Sequence, residues 1–270
     1  MTERFLHRDD APFGDDVWEK IDEAVVGAAR TQLSVRRILH TEGPYGAGLK
    51  SLDGPDAAVT EESEDGASVA AGGVVPVAAI RKGFTLPIRD IAAFERTGIP
   101  FGLDSAARAA IACAKREDEV LLYGSDELGV GGLLNADGVR SVALSEWTEA
   151  GAAAEDLIGA VTLLDEAGCH GPYALALTPG RYNLLFRRYQ QGNMVEIEHL
   201  RSLITEGIVK APALASGGVL VASGPQFATI VLGQDLMAGF VGPAGGDYEF
   251  SLSESVALRL RHPGAVCVLK

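Results

Sequence analysis

Positive charge is scarce in this chain. Lys and Arg number 23 against 37 Asp and Glu, which leaves a formal net charge of −14 over 270 residues. A surface that grips DNA or RNA neutralises phosphates with Lys and Arg, so no nucleic acid is expected as a partner. Cysteine is scarce too. Cys113, Cys169 and Cys267 are odd in number, far apart and set in apolar stretches such as "AIACAK" and "GAVCVLK". They read as reduced, buried small hydrophobes, which suits a cytoplasmic protein. No uninterrupted apolar run is long enough to cross a bilayer, and the opening "MTERFLHRDDAPFGDD" lacks the apolar centre of a signal peptide. Neither membrane nor export is expected.

Catalytic signatures are missing as well. The sequence has no G-x-S-x-G, S-x-x-K or H-E-x-x-H, and no cysteines paired at zinc spacing. His7, His40, His170, His199 and His262 are scattered and read as surface or packing residues. Cys169 adjoins His170, but sequence neighbours seldom face one another as nucleophile and base. The glycines of "YGSDELGVGGLLNADG" (123–138) suggest a phosphate cradle and then fail its requirements. A P-loop needs Lys and Ser or Thr after its last glycine, whereas Leu133 and Leu134 follow Gly132. A dinucleotide fingerprint follows a strand, and here Leu134 stands where its third glycine belongs. Gly129, Gly131 and Gly132 therefore read as a tight turn between helix and strand. The carboxylates of "REDEVLL" read as a solvated or intersubunit helix face. No catalytic residue, metal or cofactor is expected.

What is present is a folded protein, 47% hydrophobic with an ordinary charged fraction. Val17, Trp18, Ile21, Val25, Ala28, Ala29 and Leu33 recur at helical spacing in "DDVWEKIDEAVVGAARTQLSVRRIL", with Asp16 and Glu19 resembling a capping box. The Gly/Pro cluster "HTEGPYGAG" stops that helix. From Lys50 to about Val75 the chain is acidic and glycine-rich, which predicts an extended loop or a loosely supported hairpin. Such an excursion is either disordered or bound to something outside the domain. "VPVAAIRKGFTLPI" reads as strand interrupted by Pro87, and "DSAARAAIACAKREDEVLLYG" as a long helix capped by Asp104 and ended by Gly124. "EDLIGAVTLLDEAG" is helical, "YALALT" a strand, and "PGRYNLLFRRYQQG" a helix with Pro179 near its start and Gly192 past its end. A polar helix follows around Glu196 to Leu203, then strands in "GVLVAS" and "FATIVLG". "FSLSESVALRL" alternates: Phe250, Leu252, Val256, Leu258 and Leu260 share one face, with Glu254 as the single exception. The class is α+β, a helix-rich middle set between strand-rich parts.

Six stretches, taken in order, resemble a known family. They are "EGPYG" (42–46), "FTL" (84–86), "EDEVLLYGSDELGVGGLL" (117–134), "GPYALAL" (171–177), "LGQDLMAGF" (232–240) and the closing "SLSESVALRLRHPGAVCVL". Together they resemble the encapsulins, prokaryotic shell proteins once called linocin-type bacteriocins. The resemblance implies the tailed-phage major capsid protein fold (Hong Kong 97 type). It divides the chain into an N-terminal amphipathic helix (1–40), an E-loop region (41–86), a peripheral domain with the spine helix (87–132), an axial domain (133–223) and the C-terminal peripheral strands (224–270). The E-loop would extend over a neighbouring copy, and the glycine run would join spine helix to axial domain.

The implied function is a subunit that self-assembles into an icosahedral compartment of about 60 copies (T=1) in the cytoplasm. It would enclose a cargo enzyme, a peroxidase or ferritin-like iron protein, through the cargo's C-terminal targeting peptide, serving iron storage or the oxidative stress response. A phage or prophage capsid is the alternative, and a bacteriocin-type protease the third. The first helix, where viral shells often carry a scaffolding arm, and the acidic charge favour the cellular compartment. Implied cargo-binding residues are Ala29, Leu33, Arg36, Ile38, Asp235 and Leu236. Implied pore-lining residues are Gln190, Gln191, Gly192 and Asn193. Some relatives stack a tryptophan on flavin just after the "FTL" strand; here Arg89 holds that place, so flavin binding is expected to be absent or weakened.

Overall fold

The computed structural model describes residues 5–54, 60–62, 68–190 and 193–270. In chain order the first half gives α1 (Asp15–Gln32), β1 (His40–Glu42), β2 (Ser51–Asp53), β3 (Thr60–Glu62), β4 (Ser68–Ala70), β5 (Val74–Pro76), β6 (Ala78–Pro87), α2 (Ile88–Thr97) and α3 (Asp104–Tyr123). The second half gives β7 (Arg140–Val142), α4 (Ala152–Glu166), β8 (Tyr173–Leu177), α5 (Pro179–Leu184), α6 (Glu196–Leu203), β9 (Gly207–Lys210), β10 (Gly218–Ala222), β11 (Ala228–Ala244), β12 (Asp247–Leu260) and β13 (Val266–Leu269).

Two sheets organise the chain. The first runs β1-β11-β12-β6, with the long β11–β12 hairpin at its centre. The alternation along β12 puts Phe250, Leu252, Val256 and Leu258 into one core with Val17, Ile21 and Val25 of α1 and the small residues Ala106, Ala110 and Cys113 of α3. Phe84 and Phe250 are cross-strand partners, and their rings stack at 5.0 Å. The second sheet runs β7-β13-β10-β8-β9 and is covered on both faces. Ala174, Ala176, Val219 and Val221 join the first core, while Leu175, Leu177 and Leu220 join a second one under α4 and α6. Burial on both faces explains the unbroken apolar runs "YALAL" and "GVLVA".

Several expectations are corrected by tertiary contacts. Helix α1 ends at Gln32 and gives way to a 3-10 turn at Val35–Arg37. Its N-cap is Gly14 without a side-chain cap; Asp16 accepts only from the N–H of its neighbour Val17, at 3.0 Å, so the capping box is not formed. Asp104 opens α3 as a helical residue and makes no side-chain cap. The helix expected from Pro179 stops at Leu184, because Leu185 and Arg187 turn their carbonyls to the N–H groups of Ile197 and Glu196. Helix α2 carries no expectation from the sequence. β13 lies between β7 and β10 in the second sheet, and Cys267 and Leu269 belong to the second core.

The excursion after Lys50 is a two-stranded arm where described. β2 pairs with β5, β3 pairs with β4, and residues 55–59 and 63–67 lie outside the described residues. Its base is anchored by Leu52, packed with Val231 and Ala257.

The glycine run caps α3. The N–H groups of Leu133 and Leu134 reach the Leu121 and Leu122 carbonyls at 2.9 Å, satisfying the helix end. The chain can turn back this tightly only because Gly132 has no side chain: a Cβ there would fall inside the backbone of Tyr123 and Gly124, whereas one at Gly131 meets nothing within 4 Å. Gly132→Ala is therefore expected to cost at least about 2 kcal/mol. Gly131→Ala should stay within about 0.5 kcal/mol, both read from denaturant unfolding. Equal effects would refute this assignment.

Candidate functional site

Two adjacent carboxylates of α3 build the turn that follows α1. Asp118 accepts from the N–H of Ser34 at 2.9 Å, the N–H of Val35 at 3.1 Å and the Ser34 hydroxyl. Burial pushes the Asp118 carboxyl up, against these hydrogen bonds, which favour its charge. The turn delivers Arg36 to Glu117, which it grips with both arms: Nε to Oε1 and Nη2 to Oε2, each at 2.7 Å. Nη1 donates to Asp235 at 2.8 Å and Nη2 reaches Glu254 at 3.3 Å. Burial works against the guanidinium charge, but the hydrogen bonds to Glu117 and Asp235 prevail and raise its pKa.

Asp235 stands where it does because β11 bulges. Gln234 pairs with Ser255 and Met237 with Ser253, so Asp235 and Leu236 together oppose Glu254. Gln234 ties both flanks: its N–H donates to Ser255 Oγ at 2.9 Å, and its side-chain amide to the Ser253 carbonyl and hydroxyl at 3.0 and 2.8 Å. The bulge thus turns two side chains toward the end of α1.

Between them lies a cleft of about 340 Å³. Val26, Ala29, Leu33 and Leu236 give it an apolar lining, Arg36 and Asp235 a polar wall, and Arg30 and Arg37 flank it. Five of the six residues implied for cargo binding meet here: Ala29, Leu33, Arg36, Asp235 and Leu236. Ile38 does not. It is 3% exposed in the first core and borders a different cleft, with His40 and Pro225.

Of the implied pore residues, Gln190 and Asn193 are exposed on a loop closed by the Arg188–Val195 bridge, while Gln191 and Gly192 lie outside the described residues. Arg89 is exposed in the first turn of α2.

The sequence reading missed Glu117, Asp118 and Glu254. The "REDEVLL" carboxylates were assigned to an outer face, yet Glu117 and Asp118 are 0% and 1% exposed. One signal was available: Glu254 alone broke the apolar face of β12, and it is buried on that face.

The cleft offers shape, apolar surface and fixed charge to a ligand. The Cys169–His170 neighbours do not form a nucleophile pair: His170 Nδ1 contacts Asp165 at 3.1 Å, and burial raises the Cys169 thiol. Among the described residues no group of His, Cys, Asp and Glu could hold a metal ion, and no helix is long and apolar enough to cross a membrane.

Arg36→Met would leave Glu117 and Glu254 buried without their cation, an expected loss of about 3–5 kcal/mol. Burial and the neighbouring Glu117 hold the Glu254 carboxyl above its unfolded value, and loss of Arg36, which pulls the other way, raises it further. Its contribution then favours low pH and is lost as pH rises through the ordinary Glu value of about 4.3. The variant's deficit in denaturant midpoint should be largest near neutrality and shrink toward about pH 4. A pH-independent deficit would refute the charge assignment.

Comparison with known proteins places this arrangement. Residues 2–257 match the family described as "Encapsulating protein for peroxidase". The type 1 encapsulin shell protein EncA of Myxococcus xanthus is 33% identical over 98% of this chain and 96% of its own length. The structure titled "Crystal structure of virus-like particle from Pyrococcus furiosus" aligns with a TM-score of 0.75 at 24% identity, over 94% of this chain and 99% of that one. A phage shell, "The capsid of Myoviridae Phage XM1", shares the fold at TM-score 0.59 and 14% identity, over 86% and 88%. Its mixed helix-and-sheet architecture is that of the tailed-phage capsid proteins, and the chain belongs to the encapsulin family of shell proteins.

Proposed function

We propose that this shell subunit closes into an icosahedral particle of about 60 copies (T=1) in the cytoplasm, and that the cleft beside α1 receives the C-terminal targeting peptide of a cargo enzyme. The observation that carries the docking reading is the cleft itself. An amphipathic helix end and a β-bulge, far apart in sequence, converge on a slot that is apolar within and charged at its wall. Leu33 and Leu236 would each bury an aliphatic peptide side chain, at about 1.5–3 kcal/mol apiece. Arg36 and Asp235 would hydrogen-bond the extended peptide backbone. The family description supports a peroxidase as cargo, and a ferritin-like iron protein is the other class. In this reading the subunit does no chemistry itself, α1 faces the particle interior, and the arm after Lys50 lies over a neighbouring copy. The division proposed sets an axial domain at 133–223 between peripheral parts at 87–132 and 224–270, and the grouping of β7, β8, β9 and β10 in one sheet supports it.

Size-exclusion chromatography and electron microscopy of the purified chain should give closed particles; a monodisperse monomer or dimer would overturn the assembly. Nucleic acid inside the particles would favour a viral capsid instead. Leu33→Asp and Asp235→Ala should each leave assembled shells that co-purify with a small fraction of the tagged cargo the parent retains. Parental loading by both would place docking elsewhere. Loss of assembly in Leu33→Asp alone would make that residue structural.

The polar loop at 190–193 is proposed to line a fivefold pore that selects by size, since Gln190 and Asn193 bring hydrogen bonds without charge. Asn193→Asp should then change cation uptake by loaded particles. Unchanged uptake kinetics would remove the loop from the pore.

A further inference from the structure

The cluster at the base of the cleft holds more acid than its one cation balances. The Glu117 and Glu254 side chains are 0% and 1% exposed, and both reach Nη2 of Arg36, at 2.7 and 3.3 Å. Asp235 takes Nη1 from the solvent side, with its side chain 52% exposed.

The other groups around the pair offer no further counter-charge. On α3, Asp118 is committed to Ser34 and Val35, and the Cys113 thiol is pushed up to about 12 by burial and then by Glu254, so it stays neutral. On β6, Lys82 is exposed and lies across from Leu252, two residues from Glu254. Among the described residues Arg36 is the one cation paired with these carboxylates. Meanwhile Glu254 Oε1 is buried without a hydrogen-bond partner. As a carboxylate oxygen it would be an uncompensated acceptor; a proton on Glu254 would instead let its carboxyl donate to the Glu117 side chain, with which it is hydrogen-bonded.

We propose that Glu254 carries a proton at neutral pH, shared with Glu117, and that this neutral carboxyl positions Arg36 in the wall of the cleft. Two like charges cannot both ionise at one buried site without a large cost, and a single shared proton removes that repulsion. It also gives the orphaned oxygen a role and leaves Arg36 free to point Nη1 at Asp235. The direction of titration agrees: burial, then the charge of Glu117 and the hydrogen bond with it, raise Glu254 well above the usual carboxylate range, against the pull of Arg36. When the proton leaves, both carboxylates compete for Nη2 and draw the guanidinium inward, away from Asp235. Glu254 is thus a positioning residue that acts through Arg36. The inference deepens the docking reading, but its tests use no cargo, so failure to load and failure of this proposal are separable.

Infrared difference spectra of the full-length protein, parent minus Glu254→Gln, should contain the carbonyl stretch of a protonated carboxyl at neutral pH. The same band should be lost in Glu117→Gln, where Glu254 can ionise against Arg36, and should fade in the parent as pH rises. A band that is missing at neutral pH, or that survives in Glu117→Gln, overturns the proposal. For positioning, an environment-sensitive fluorophore on Arg30→Cys at the cleft rim reports the wall; the native thiols at Cys113, Cys169 and Cys267 are buried and stay unlabelled. Its emission should titrate at alkaline pH in the parent background and stay flat with Glu254→Gln, a neutral donor of the same shape. Parental titration in that variant overturns the positioning role. Should Glu254→Gln fail to fold, the Glu117→Gln spectra and the parent's pH series decide the question.

Discussion

The grip of Arg36 on Glu117 is the constraint from which the cleft beside α1 follows. A buried carboxylate on α3 must have a cation, and the nearest one available sits on the turn after α1. Meeting that demand fixes where α1 ends. The neighbouring Asp118 completes the arrangement by taking the backbone N–H groups that the broken helix would otherwise leave unpaired. From there the guanidinium extends to Asp235 and Glu254, so one side chain links the turn after α1 to α3, β11 and β12. The interior face of this layer is apolar nearly everywhere else, and this polar knot gives its elements a defined register.

The β-bulge is the second half of the same construction. A regular strand would send Asp235 and Leu236 to opposite faces; the extra residue opposite Glu254 turns both toward the cleft. The Gln234 side chain holds the irregularity in place through Ser253, so the cleft is lined by ordered elements on both sides. That rigidity suits the docking role proposed for the cleft, because the ordering cost would then fall on the incoming peptide alone.

Local pattern made much of the fold legible. The alternation of Phe250 through Leu260 gave a strand, and Glu196 to Leu203 a helix, because each element's own side chains decide its state. The failures lie where a distant residue intervenes. Leu33 continues the helical spacing of α1, yet the helix stops before it because Asp118, far along the chain, claims the next amides. Charges in "REDEVLL" read as outward-facing because a lone sequence cannot announce a partner 81 positions away. Five of six implied cargo residues came together since they sit on the two elements the bulge and turn align. Ile38 departs because it lies one turn further on, past the 3-10 segment, where the chain heads into the core.

The position of β13 bears on how such a subunit is made. That strand is inserted between β7 and β10, and its neighbours in the sheet are all synthesised earlier. A nascent chain stalled before residue 266 would therefore carry a split sheet and an unfilled second core, whatever the state of its first layer. The second sheet is continuous only once this strand is in place, because without it β7 has no neighbour and β10 keeps an open edge.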